Sequence, residues 1–196
     1  MRIEQFVMAY GVVQDRLRAM LPDGFSSLSP VLRINAGICG GEGYIELNTA
    51  VLSGGFRGWM NIWNSPIGFA RDGKTVRFEN GLIAISFSGV GIEGGCPAEK
   101  DNAGCVFPGS KPEFHLSDEI NERKEFCDCG FEWKLPGGTH GKSTGKTLPA
   151  IPTEPEREYP KAGFNVGSAA VTECRQVLGS YRVGFERDSD GKWRDL

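Results

Sequence analysis

Apolar positions change period along the chain. Between residues 12 and 21, Val13, Leu17, Met20 and Leu21 recur at i, i+4, i+7 and i+8. That spacing predicts one amphipathic helix, stopped by Pro22-Asp23-Gly24. Further on the period becomes two, and residues 31–38, 44–52 and 56–63 each read as strands. Ser53-Gly54-Gly55 joins the last two. Asp72-Gly73 separates a segment at 68–71 from one at 74–79, and Asn80-Gly81 leads on to 82–90. Asp-Gly and Asn-Gly adopt the positive φ angles of type I′ turns, which connect paired antiparallel strands. An antiparallel meander is the expectation.

From 91 to 124 the periodicity fades into a long connection rich in Gly and Pro. Residues 126–134 resume as a strand. Residues 135–159 carry Pro136, Pro149, Pro152 and Pro155, and predict an exposed loop or a mobile flap. Two closing strands are expected at 165–177 and 180–187. Neither an internal repeat nor a linker interrupts the chain, so residues 1–196 read as one domain. The predicted class is mostly β (α+β), a meander closing into a cone or barrel with one short N-terminal helix.

Composition supports this. The 196 residues include 28 Gly and 11 Pro, about a fifth of the chain against an average nearer 12%. Glycine inside helices or strands costs roughly 0.5–1 kcal/mol each, so most must occupy turns, and a long-helix bundle is excluded. The 12 Phe and 4 Trp are enough for a real core. A net charge of −3 with no basic run leaves no footprint for nucleic acid. No apolar run approaches the ~20 residues that span a bilayer, and Glu4 and Gln5 interrupt any leader-like start. A cytoplasmic protein with no membrane partner is expected, its six Cys reduced.

Several motifs fall away on context. Residues 137–143, Gly-Gly-Thr-His-Gly-Lys-Ser, resemble a phosphate loop, but Pro136 holds the required first glycine position and the following Thr147-Leu-Pro cannot open a helix. Cys96, Cys105, Cys127 and Cys129 invite a zinc reading, but their Cys-x8-Cys and Cys-x-Cys spacings are not those of zinc knuckles. On a strand, Cys127, Cys129, Phe131 and Trp133 share one apolar face, so core packing is the simpler account. Only His115 and His140 are present, and no Gly-x-Ser-x-Gly elbow supports a serine hydrolase.

The strands carry a better constellation. Arg33 and Asn35 share a face by alternation, as do Tyr44, Glu46 and Asn48, and Arg57, Trp59, Asn61 and Trp63. Leu32, Ile34, Ile45, Leu47, Met60 and Ile62 take the opposite positions. Two readings are open: the polar set faces solvent, or the sheet curls and the set lines a pocket for a small organic acid. In a pocket, Arg33 would be the carboxylate partner and Glu46 an acid or base.

Leu-Pro-Asp-Gly-Phe at 21–25, Tyr44-Ile-Glu46, the run Gly55-Phe-Arg-Gly-Trp-Met-Asn-Ile-Trp63, and residues 170–185 together resemble the acetoacetate-decarboxylase-like superfamily. That resemblance implies a cone-shaped antiparallel sheet around a small-molecule cavity. It also implies a lysine nucleophile that forms a Schiff base with a β-keto acid, so that the iminium accepts the electron pair released with CO2. An adjacent cation lowers such a lysine's pKa, an effect for which acetoacetate decarboxylase is a standard example. Glu46 matches a pocket carboxylate. The family's Pro-Lys-Lys segment is replaced by Ser65-Pro66-Ile67, with Ile67 at the lysine position. Tyr159-Pro160-Lys161 repeats the local pattern far too late in the chain, and Lys74 follows a turn. Lys100 is the mid-chain candidate, though flanking Glu99 and Asp101 favour its charged form.

The resulting expectation is a pocket for a small organic (keto) acid. Glu46 and Lys100 are the catalytic candidates, and Arg33, Asn48, Asn61 and Trp63 the substrate-binding ones. No cofactor or metal is implied, and a homo-oligomer is compatible with the sequence. If the protein is an enzyme, it is a carbon–carbon lyase. The alternatives are a non-catalytic binder on the same scaffold and a zinc-stabilised interaction module.

Overall fold

The computed structural model describes residues 2–89, 105–107, 113–116, 120–121, 125–144, 151–186 and 192–195, with side chains in 2–55, 57–89, 125–144 and 151–186. The chain opens with β1 (Arg2–Gly11), α1 (Gln14–Met20), β2 (Ser26–Cys39), β3 (Glu42–Ser53) and β4 (Phe56–Pro66). It continues through β5 (Gly68–Asp72), β6 (Thr75–Glu79), β7 (Ile83–Ser88), β8 (Cys105–Phe107), β9 (Glu113–Leu116), β10 (Ile120–Asn121) and β11 (Glu125–Phe126). It closes with β12 (Asp128–Trp133), β13 (His140–Thr144), α2 (Val166–Ala170), β14 (Gln176–Glu186) and β15 (Lys192–Asp195). Mostly-β is the observed class. No helix among the described residues is long and apolar enough to cross a membrane.

Two sheets form. The larger runs β10-β14-β1-β2-β3-β4-β8-β9-β15, with β11 also on β14; the smaller runs β13-β12-β7-β6-β5. The Asp72-Gly73 and Asn80-Gly81 links join β5 to β6 and β6 to β7, both antiparallel as the turns predict. The expected closure into a cone or barrel does not occur among the described strands. The meander splits instead, because β4 leaves the large sheet at Pro66 and β5 starts in the small one two residues later. At this crossing the Ile67 N–H donates to the Gly43 carbonyl at 3.1 Å. A Cβ on Gly43 would sit 2.3 Å from the Ile67 oxygen, so only glycine allows the approach.

The core lies between the layers. Phe6, Met8, Leu32, Ile34, Ala36, Ile45, Leu47 and Met60 from the large sheet meet Phe78, Ile85, Phe87, Cys129, Phe131 and Trp133 from the small one. Phe6 touches Phe78 and Phe87 with ring centroids 5.5 and 5.3 Å apart. Such aromatic pairs add about 0.5–1.5 kcal/mol beyond their buried area. Leu17, Met20 and Leu21 of the expected helical stripe join this core.

Several sequence expectations are corrected. Residues 165–170 are not a strand: Asn165 caps α2, its Oδ1 accepting from the Ser168 N–H at 2.8 Å. The 135–159 stretch is not a free flap in its described parts. Residues 140–144 pair with β12, completing a hairpin. Residues 151–165 form a strap across α1, where Ala162 and Gly163 N–H groups donate to the Ala19 carbonyl and Arg18 donates to the Glu154 carbonyl at 2.7 Å. Gln14 fastens the strap. Its Oε1 accepts from the Glu154 N–H at 2.7 Å, while its Nε2 donates to the Ser27 carbonyl and hydroxyl at 3.2 Å.

Candidate polar site on the large sheet

Strand register assembles the polar residues. Arg33 pairs with Asn48 and Asn48 with Asn61, one row across β2, β3 and β4. Asn35, Glu46 and Asn64 form the next row, and Gly37, Tyr44 and Pro66 the one after. Because residues directly opposite in a sheet share a face, these rows lie opposite the core face carrying Leu32, Ile34 and Leu47. Arg33, Glu46, Asn48 and Asn61 are thus brought together as the alternation implies.

Trp63 is not with them. The β3–β4 ladder skips from Asn48↔Asn61 to Leu47↔Trp63, leaving Ile62 as an unpaired extra residue. A bulge of this kind shifts the alternation of everything beyond it. Trp63 therefore shares the core face with Leu47, packing against the core and against Trp133 at a 5.9 Å centroid separation. The expectation that it sits beside Asn61 is corrected. Trp59, two residues before Asn61, takes that role.

Arg33 is held from two sides. Its Nε donates to Asn35 Oδ1 at 2.7 Å, and its guanidinium carbon lies 4.5 Å from the centroid of the Trp59 ring. Trp59 belongs to β4 and Arg33 to β2, so the Arg33 side chain passes over β3 at Asn48. Among the described residues no carboxylate forms a salt bridge with Arg33. Beneath this roof Asn48 is 1% exposed and Asn61 3% exposed. Among the described residues, Asn48 Nδ2 and Oδ1 and Asn61 Nδ2 have no hydrogen-bond partner, and Asn61 Oδ1 accepts only a long bond from Asn64. Each buried unsatisfied polar group costs roughly 1–3 kcal/mol. Native interiors leave very few such groups, so three on neighbouring side chains mark this spot.

The lysines with described side chains lie elsewhere. Lys74 is exposed in the β5–β6 turn, Lys134 pairs with Glu79, Lys142 is exposed on β13, and Lys161 donates to the Leu21 carbonyl. Ile67, at the position where the resemblance implies the reactive lysine, is 5% exposed in the core. Lys100 lies outside the described residues.

The cysteine question is also sharpened. Cys129, Phe131 and Trp133 are buried on one face of β12, with Cys127 buried just before it. Burial pushes the Cys127 thiol up to about 12, partly offset by the Ser180 hydroxyl, and holds Cys129 well above the ordinary thiol value. No group of three metal-ligating side chains occurs among the described residues. Cys96 and the side chains of Cys105 and His115 lie outside them.

A groove of about 450 Å³ runs over the outer face of the small sheet, across Ala84, Ser86 and Gly130 between Arg77 and Lys142. Arg77 there is already paired with Glu79 at 2.8 Å, and the charged lining is exposed to water. It contains no buried orphan. The Arg33–Asn48–Asn61 row carries the stronger chemical signal.

Comparison with known proteins supports the architecture. No protein-family model matches the sequence, and no curated protein sequence does. Solved structures do match. Acetoacetate decarboxylase from Legionella pneumophila superposes with a TM-score of 0.67 at 12% identity, over 100% of this chain and 86% of that one. An acetoacetate-decarboxylase-like enzyme from Sphingomonas wittichii RW1 gives 0.60 at 12% identity, covering 100% and 91%. The enduracididine biosynthesis enzyme MppR, complexed with the condensation product of pyruvate and imidazole 4-carboxaldehyde, gives 0.59 at 10% identity, covering 98% and 87%. The chain has the acetoacetate-decarboxylase-like fold.

Proposed function

We propose that this protein binds a small carboxylic acid on the polar face of its large sheet, with Arg33 as the carboxylate partner and Asn48 and Asn61 as further donors. One observation carries the reading. Among the described residues, a half-buried guanidinium without a carboxylate lies over two buried amides, of which Asn48 has no partner at either end and Asn61 none at its Nδ2. Arginine suits this role because its planar fork matches a carboxylate bidentately. The fold supports the acid class, since one structural relative was solved with a pyruvate-derived product.

Calorimetric titration with short keto and simple carboxylic acids tests the reading. Binding by the native protein, reduced tenfold or more in Arg33→Gln, is expected. No binding by any acid, or unchanged binding by the variant, overturns it.

Catalysis would add Glu46 as acid or base and Lys100 as nucleophile, making the protein a carbon–carbon lyase. Borohydride reduction in the presence of keto acids, followed by peptide mass spectrometry, tests this step. An adduct on Lys100 supports the lyase. The absence of any lysine adduct leaves a non-catalytic acid-binding protein, the reading favoured by the lack of a lysine on this face among the described residues.

A further inference from the structure

The partners missing from Asn48 define more than a carboxylate. Arg33 supplies the charge for an acid, and its hydrogen bond among the described residues runs from Nε to Asn35 Oδ1, leaving the Nη groups for a ligand. Asn48 lies directly opposite Arg33 on the neighbouring strand. Both of its amide atoms are unpartnered among the described residues. The amide NH2 requires an acceptor and the amide oxygen requires a donor. Because both ends are orphaned, this requirement is the same whichever way the amide is turned. Asn61, one strand further, adds an NH2 donor and does not bond to Asn48.

A keto group offers acceptors only. It would satisfy the NH2 groups and leave Asn48 Oδ1 buried and bare. A hydroxyl or a primary amide satisfies both ends. We infer that the acid held on this face carries a hydrogen-bond donor as well as an acceptor besides its carboxylate, as a hydroxy acid or a half-amide of a dicarboxylic acid does. This rests on the acid-binding reading above and narrows its substrate class away from simple keto acids.

Succinamate and levulinate make a matched pair. They differ by an NH2 in place of a CH3 next to the same carbonyl, at the same distance from the same carboxylate. Sites built to hydrogen-bond a polar group discriminate strongly against analogues that lack it. Calorimetry on the native protein should show succinamate binding about tenfold tighter or better, the scale of one or two hydrogen bonds at a buried site. Asn48→Leu should erase the preference while levulinate still binds, whereas Arg33→Gln should weaken both ligands. Equal affinities, tighter binding of levulinate, or a preference that survives Asn48→Leu overturns the inference and leaves acid binding standing. If neither ligand binds, acid binding and the inference fall together. The native comparison decides the matter alone should Asn48→Leu fail to fold, with circular dichroism as the check on the variant.

Discussion

Arg33 and Trp59 meet across an intervening strand, guanidinium over indole at 4.5 Å, and so roof the buried amide of Asn48. A cation over an aromatic face contributes about 0.5–1 kcal/mol when exposed and about 2 when desolvated. The half-buried position of both residues places this pair between those limits. Trp59→Leu should lower the unfolding free energy by about 1–2 kcal/mol. It should also weaken acid binding, because Arg33 loses the surface that orients it. Urea denaturation and calorimetry on one preparation check both effects.

Gln14 is fully buried and ties the strap to β2 through Glu154 and Ser27. Gln14→Leu removes these bonds and strands the Ser27 and Glu154 groups, at an expected cost of about 2–3 kcal/mol. Hydrogen exchange of the Glu154 amide should accelerate far more than that of the core strands β1 and β2. Equal protection in both proteins would refute the clasp.

Glu4 joins the two sheets, accepting from Arg182 of β14 at 2.9 Å and from Arg71 of β5. Burial alone would raise its pKa, but the two guanidinium groups outweigh that and leave it below the ordinary value of 4.5. A depressed folded-state pKa contributes stability above 4.5 and loses it as pH falls through the folded value. The urea midpoint should therefore drop on acidification below that point. The drop should be shallower in Glu4→Gln, which starts from a lower midpoint at pH 7.

Cys127 and Cys129 should resist alkylation. With the Cys127 thiol near 12 and Cys129 also raised, almost no thiolate exists at pH 8, and burial blocks the reagent. Peptide mass spectrometry after a brief iodoacetamide pulse should find both unmodified in the native protein and both modified in urea. Rapid native labelling would show that β12 opens readily.

The elements that could be read from the sequence have one face in the core and one outside it. Residues 75–79 and 83–88 alternate cleanly, and their Asp-Gly and Asn-Gly links left little choice of partner. β1 was not foreseen, because Phe6, Val7 and Met8 are all buried and a strand covered on both faces shows no alternation. The five residues of α2 are too few for a helical period. Only Asn165, three places before Ser168, signals a cap. In the site, Arg33, Asn48 and Asn61 followed from parity alone. Trp63 did not, because nothing in the composition of residues 56–66 marks Ile62 as a supernumerary residue. The tie between Arg33 and Asn35 and the reach of Arg33 to Trp59 depend on side-chain paths that parity does not contain.

That supernumerary residue lets β4 serve two tasks at once. Trp59 and Asn61 before Ile62 and Asn64 after it lie on the polar face, while Met60 and Trp63 serve the interior, Trp63 tilted against Trp133 of the other sheet. The site and the packing between layers are therefore not separable modules. A repacked Trp133 would tug on the same strand that aims Asn61, so changes in ligand preference should arise from substitutions in the hydrophobic interior as well as from those on the face where the ligand sits.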